Sequence, residues 1–259
     1  MITVPITQGR YSTASDSGNS LCRMLPSACF YIQALTIVTR AAWMARQGIY
    51  TDGDWTRSSL DILRSLERCG VEFEVDGMEH VCADVAPCVF IGNHMSTLET
   101  FVLPTLIAPY RQLTFVVKQS LIDYPVFKYV MRSRNPIVVQ RTNPREDLKA
   151  VLNQGGERLA RGISIIVFPQ TTRTTTFDAG QFNSIGIKLA KKAGVPIIPV
   201  ALKTDAWSNG RWLKDFGVID PKKKARISFA APIDSSAPTA EIKEGIVGFI
   251  EERLRGWDR

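Results

Sequence analysis

The sequence predicts an α/β protein: a mostly parallel sheet flanked by helices on both faces, preceded by an N-terminal helical segment. Three observations carry this. From residue 87 onward, short apolar runs alternate with helical patterns. The runs are continuously apolar, the mark of strands buried on both faces, where a half-exposed strand would alternate. Turn signals separate the elements, as at Gly70 and Asp76-Gly77.

The opening "MITVPITQGRYSTASDSGNS" is polar and reads as a loose tail. Residues 24–39, "MLPSACFYIQALTIVT", contain no charge and lie between Arg23 and Arg40. The run is shorter than the ~20 residues of a spanning helix. Gln33, Thr36 and Arg40 recur at helical spacing and give it a polar stripe. It is either a helix packed on the protein's own core or one lying in a membrane interface, with Phe30, Tyr31, Trp43 and Met44 available for burial. In "DWTRSSLDILRSLERCG", Trp55, Ser59, Ile62, Leu66 and Cys69 recur on one helical face, and Gly70 supplies the stop. "VEFEV" alternates as a strand, and Asp76-Gly77 marks a turn.

Strand-like runs then follow at "PCVFIGN", "LTFVVK" (113–118), "PIVVQ" (136–140), "SIIVFP" (164–169), "PIIPVAL" (196–202) and "ARISFA" (225–230). Helical patterns between and after them include "REDLKAVLNQGGERLAR", "NSIGIKLAKKAG" and "AEIKEGIVGFIEERLRGW". We divide the chain into a tail and two-helix segment, 1–70, and a main domain, 71–259.

Charge and cysteine usage narrow the function classes. Lys and Arg outnumber Asp and Glu by 32 to 25, a net +7 that favours anionic partners: nucleic acid, phosphorylated metabolites or an anionic membrane. "PKKKAR" (221–226) is short, lacks interleaved aromatics and leads into a strand, so no nucleic-acid partner is expected. The five cysteines form no CxxC pair and the chain has two histidines, so no metal site is expected and the thiols are read as reduced.

One of those histidines stands in "VFIGNHMSTLET" (89–100), directly after an apolar strand. Sites in parallel sheets gather at the carboxyl ends of strands. Glu99 lies five positions beyond His94, a spacing that diverges by ~140° on one continuous helix. It works if His94 is on the loop and Glu99 in the first helical turn, where the carboxylate fixes the tautomer and leaves the other ring nitrogen free as a base. "STLE" (96–99) also matches a capping box, which would make Glu99 structural. From this motif alone the cap is the simpler reading. Ser96 has no glycine-flanked elbow that would make it a nucleophile.

Read together with the rest of the chain, "NHMSTLE" resembles the NHxxxxD signature of the glycerolipid acyltransferase family of bacterial 1-acylglycerol-3-phosphate acyltransferases, with Glu in place of Asp. "VFPQTTRT" (167–174) resembles the family's FPEGTRS block, and "GVPIIPVAL" (194–202) its VPIIPV block. Arg141 after "NPIVVQ" and Lys118 in "FVVK" fall at positions commonly basic there. Gln170 and Thr171 depart from the family's Glu and Gly, which bears on the acceptor more than on the reaction.

The resemblance implies a membrane-associated acyltransferase acting on a lysophospholipid, with 1-acylglycerol-3-phosphate the expected acceptor. His94 and Glu99 would be catalytic, Arg173, Arg141 and Lys118 would bind the acceptor's phosphate, and Asn93, Gln170, Thr171 and Thr172 would shape the site loops. It implies no metal and no cofactor beyond acyl-CoA or acyl-carrier protein as co-substrate. It also favours the membrane reading of the first helix: peripheral or monotopic attachment to an anionic surface, the cytoplasmic face of the inner membrane. Alternatives are another lipid acceptor (glycerol phosphate or a lipid A precursor), a non-catalytic lipid-binding relative, or a hydrolase.

Overall fold

The computed structural model describes residues 4–14, 18–83, 87–170, 172–211 and 213–259. In chain order the elements are β1 (Tyr11–Ser12), α1 (Ser20–Met24), α2 (Pro26–Arg46), α3 (Asp52–Arg68), β2 (Phe73–Asp76), α4 (Met78–Cys82), β3 (Val89–Gly92), α5 (Leu98–Ile107) and β4 (Leu113–Lys118). They continue with α6 (Gln119–Asp123), α7 (Phe127–Ser133), β5 (Ile137–Val139), α8 (Pro144–Ala160), β6 (Ser164–Val167), α9 (Ile185–Ala193), β7 (Ile197–Lys203), β8 (Ala225–Phe229) and α10 (Thr239–Trp257).

The strands form an eight-stranded sheet in the order β1-β2-β8-β7-β3-β6-β4-β5. Neighbours are parallel except at β1–β2 and β7–β8. Side-chain alternation splits the core into two layers. Phe90, Ile166, Ile198 and Leu202 point into a layer with buried residues of α2, α3 and α5, including Phe30, Leu63 and Leu103. Val89, Ile91, Ile165, Val167 and Ile197 point into a second layer with α8, α9 and α10, through Val151, Ile187 and Ile246. Both faces are therefore covered, which is why these strands are written as unbroken apolar runs.

Gly77 shows how tightly the turn after β2 is drawn. It lies in the left-handed region at φ 76°, and a Cβ there would sit 2.0 Å from the Phe229 carbonyl oxygen. No other residue type fits without moving β8.

The N-terminal region departs from the sequence expectations in three ways. Part of the polar tail is ordered: β1 pairs with β2, and the Tyr11 hydroxyl donates to the buried Glu67 carboxylate. Cys22 and Cys29, expected as reduced thiols, form a disulfide between α1 and α2. On one continuous helix residues seven apart would be ~10 Å distant. The break at Leu25, enforced by Pro26, turns the chain back so that their Cα atoms lie 5.3 Å apart. The sulfurs of Cys22, Cys29 and Cys69 lie within 4.8 Å of one another, a meeting of three sulfurs that spacing alone does not reveal.

The side chains expected to face a membrane are also redistributed. Phe30 is fully buried, Tyr31 is half-buried against Trp207 and Phe216, and Met44 packs on the core. Of the four named, Trp43 is exposed, and it is joined by Leu21, Met24, Leu25, Ile32 and Leu35. α2 is long and apolar enough, by length and composition, to cross a membrane.

Candidate active site

Parallel strands β7, β3, β6, β4 and β5 run the same way, so their carboxyl ends share one edge of the sheet. His94 leaves that edge at the centre, just past β3. Asn93, buried before it, clamps the chain to β7: its amide donates to the Leu202 carbonyl at 2.7 Å and its oxygen accepts from the Leu202 N–H at 2.8 Å. Asn93 thus extends the β3–β7 ladder by one side chain and fixes where His94 begins. From the β6 side, the buried Gln170 carbonyl oxygen accepts from the His94 N–H at 2.7 Å, while its amide donates to the Thr174 hydroxyl at 2.8 Å. The glutamine uses both ends of its amide, which a carboxylate in its place would not do in the same way. The Phe168 ring stacks on the imidazole, with centroids 4.4 Å apart and planes at 7°.

His94 Nδ1 lies 2.9 Å from Glu99 Oε1. The carboxylate is fully buried at the start of α5 and accepts further bonds from the Met95 N–H (2.7 Å), the Ser96 N–H (2.9 Å) and the Thr204 hydroxyl (2.6 Å). Half of the expected capping box is present: Glu99 accepts from the Ser96 N–H, but α5 starts at Leu98 with Thr97 as its cap residue, and the Ser96 hydroxyl accepts from the Leu98 N–H instead of that of Glu99; the same carboxylate holds the imidazole. Burial alone would raise the Glu99 carboxyl's pKa. The His94 hydrogen bond and charge, the Thr204 hydroxyl and the Ser96 N–H outweigh that, and it lies below the ordinary carboxylate range. An ionised carboxylate only accepts, so the neutral imidazole carries its proton on Nδ1 and leaves Nε2 with a lone pair. Ser96 is completely buried and its hydroxyl donates to the Thr204 carbonyl at 2.9 Å, which removes it as a nucleophile.

The expected cations are placed unequally. Arg173, on the loop after β6, donates to the Thr97 hydroxyl and pairs with Asp215 at 2.8 Å, which sets it against the turn between His94 and Glu99. Lys118 ends β4 and Arg141 follows β5, both exposed on the same edge. β4 and β5 stand two and three strands from β3, roughly 10 and 14 Å away at the usual inter-strand spacing. They flank the site at a distance that only long side chains or an extended ligand would cross. The Thr172 hydroxyl accepts from Lys214 at 3.1 Å. Thr171 lies outside the described residues.

Sequence reasoning missed Phe168, Thr204 and Asp215. Thr204 directly follows β7, so the carboxyl-edge rule was a usable signal for it. Phe168 lies inside the "VFPQTTRT" block, where nothing in the pattern assigns it a role. Asp215 lies in the β7–β8 connection, and nothing in its local pattern marks it.

With fold and geometry in hand, the chain belongs to the Acyltransferase family, whose model matches residues 72–203. Among known proteins it is similar to the 1-acyl-sn-glycerol-3-phosphate acyltransferase of Pseudomonas aeruginosa, at 33% identity over 167 residues, 64% of this chain and 62% of that protein. A chloroplastic 1-acyl-sn-glycerol-3-phosphate acyltransferase of Brassica napus is 29% identical over 50% of this chain and 36% of that protein. The alignments thus span less than two thirds of these curated relatives' lengths. The crystal structure of the 1-acyl-sn-glycerophosphate acyltransferase PlsC of Thermotoga maritima superposes with a TM-score of 0.68 at 20% identity, covering 91% of this chain and 96% of that one. At that identity the likeness establishes a shared fold.

Proposed function

We propose that the protein transfers a fatty acyl group from an acyl thioester, acyl-CoA or acyl-carrier protein, to the free hydroxyl of 1-acylglycerol-3-phosphate, with His94 as general base. The observation that carries this reading is the 2.9 Å His94–Glu99 pair around a fully buried carboxylate. His94 Nε2 removes the hydroxyl proton as that oxygen attacks the thioester carbonyl. Glu99 stabilises the imidazolium as it forms. The tetrahedral intermediate then expels the thiolate, and the imidazolium returns the proton to the departing sulfur. Base help of this kind is worth ~10²–10⁴-fold. Arg173, beside Thr97, is the cation best placed for the acceptor's phosphate, which its guanidinium can grip through two parallel bonds. Arg141 and Lys118 are assigned to longer-range attraction of the same group.

Membrane attachment is part of this proposal. Leu21, Met24, Leu25, Ile32, Leu35 and Trp43 leave an exposed apolar face on α1 and α2. Within it the Thr36 and Thr39 hydroxyls donate to the Ile32 and Leu35 carbonyls, so neither needs water as an acceptor. Arg23, Arg40 and Arg46 are exposed around it and suit an anionic, cytoplasmic-face bilayer. On this reading α1 and α2 lie on the membrane and residues 71–259 carry the chemistry.

The test is transfer of labelled acyl groups from both donors onto lysophosphatidate, other lysophospholipids, glycerol phosphate and a lipid A precursor, with free fatty acid counted separately. A new ester on lysophosphatidate supports the reading. An ester on another acceptor corrects the substrate, free acid alone means a hydrolase, and neither product means a lipid-binding protein.

A further inference from the structure

The β7–β8 connection reaches two places at once. On one side it meets the site: Asp215 Oδ1 lies 2.8 Å from Arg173 and accepts from the Thr97 hydroxyl at 3.2 Å, and Lys214 donates to Thr172. On the other it lies against α2: the Phe216 and Tyr31 rings are 5.6 Å apart, and Tyr31 donates its hydroxyl to the Gly217 carbonyl at 2.5 Å. Leu213, Phe216 and Val218 are nonetheless exposed, at 60%, 54% and 64%. The Phe216–Tyr31 and Tyr31–Gly217 contacts seat this loop on α2, and Lys214 stands between Leu213 and Phe216 in the chain.

Two physical facts set these contacts at odds with substrate binding. Asp215 Oδ1 takes a donor of one terminal nitrogen of Arg173, and an acceptor's phosphate reaching for a forked bond to the same guanidinium would compete for it. Exposed apolar side chains flanked by cations gain free energy by entering an anionic bilayer surface.

We propose that residues 213–218 form a lipid-sensing latch: Asp215 holds Arg173 away from substrate in solution, and entry of Leu213, Phe216 and Val218 into the membrane withdraws it. This rests on the assignment of Arg173 to the acceptor's phosphate. The latch couples acceptor affinity to the presence of the bilayer in which the acceptor resides, and it disfavours acceptors met in solution. It acts as an equilibrium between two loop positions, biased by lipid on one side and by the ion pair on the other.

The experiment uses a short-chain, monomeric lysophosphatidate as acceptor, with and without vesicles of phosphatidylcholine and phosphatidylglycerol (3:1). For the unaltered protein, vesicles lower the acceptor KM about three- to ten-fold, the range set by one partly buried ion pair. Asp215→Asn shows the low KM without vesicles and gains less than two-fold from them. Leu213→Ser/Val218→Ser keeps the latch and loses the vesicle effect. A KM for Asp215→Asn equal to that of the unaltered protein, with the same vesicle dependence, overturns the proposal.

Calorimetric binding of inorganic phosphate separates this failure from failure of the function itself. Asp215→Asn binds phosphate several-fold more tightly whether or not any ester is formed, and Arg173→Ala erases the gain. Equal phosphate affinity with and without Asp215 overturns the latch independently of turnover.

Discussion

Replacing Glu99 by glutamine keeps the side chain's shape and removes one negative charge from the centre of the site. Oε1 accepts from His94 Nδ1 and from the Met95 and Ser96 N–H groups, so the retained amide oxygen belongs there. The new NH₂ then faces the Ser96 and Thr204 hydroxyls, which can rotate to accept. The fold and the imidazole's orientation are therefore kept. What is lost is the attraction between the carboxylate and the developing imidazolium. At a charge separation of ~4 Å and an effective dielectric of ~20, a full pair is worth about 4 kcal/mol. Partial charge in the transition state brings this to about 2–4 kcal/mol, or ~30- to ~10³-fold in kcat. The acceptor KM should move little, because the neutral ground state does not use this charge. The assay is steady-state transfer from labelled acyl-CoA, with circular dichroism to confirm folding. A folded Glu99→Gln protein with kcat within about three-fold of the original would refute the reasoning. So would a double variant with His94→Ala whose loss is the product of the two single losses, since members of one unit are not additive.

Further outcomes follow from the same structure. Glu99 has a folded pKa below its ordinary 4.5, so the stability it contributes is full above that value and lost as pH falls through the folded pKa. Urea titrations between pH 6 and 3 should show the unaltered protein losing stability on acidification more steeply than Glu99→Gln, by up to ~1.4 kcal/mol per pH unit. Arg173→Lys should raise the acceptor KM about ten-fold with a smaller change in kcat, because an ammonium cannot form the forked bond; acceptor titrations decide. Burial pushes the Cys69 thiol up to about 11 and raises that of Cys88. Iodoacetamide at pH 7.5 should therefore label exposed Cys82 alone in the native oxidised protein, with Cys22 and Cys29 joining after reduction, as read by mass spectrometry.

The parts of the molecule that the sequence made legible share a physical cause. Strands buried on both faces must be apolar throughout, so β3, β4, β5, β6 and β7 stood out as uninterrupted runs. His94 and Glu99 were readable because one strand, one loop and one helical turn hold both, within six residues of chain. β1 was not readable: two residues in a polar tail carry no periodicity, and their partner β2 lies more than sixty residues on. The disulfide was hidden because it depends on the chain turning back at Leu25. Asn93 was named as a loop residue, but its role as a clamp depends on β7 lying beside β3, which no local pattern states. The same holds for Phe168, which stacks on the histidine, and for Asp215, which reaches Arg173 and Thr97 from the β7–β8 connection; for Thr204, which bonds Glu99, only its place at a strand's carboxyl end was legible.

The central claim is that His94 takes the proton from an acyl acceptor. The most direct measurement is ester formation by the original protein and by His94→Ala, side by side, on lysophosphatidate presented in anionic vesicles, with free fatty acid and bound acceptor counted in the same samples. A new ester is expected, its rate falling ~10²–10⁴-fold in the variant while acceptor binding persists. An ester formed equally well without the imidazole would contradict it.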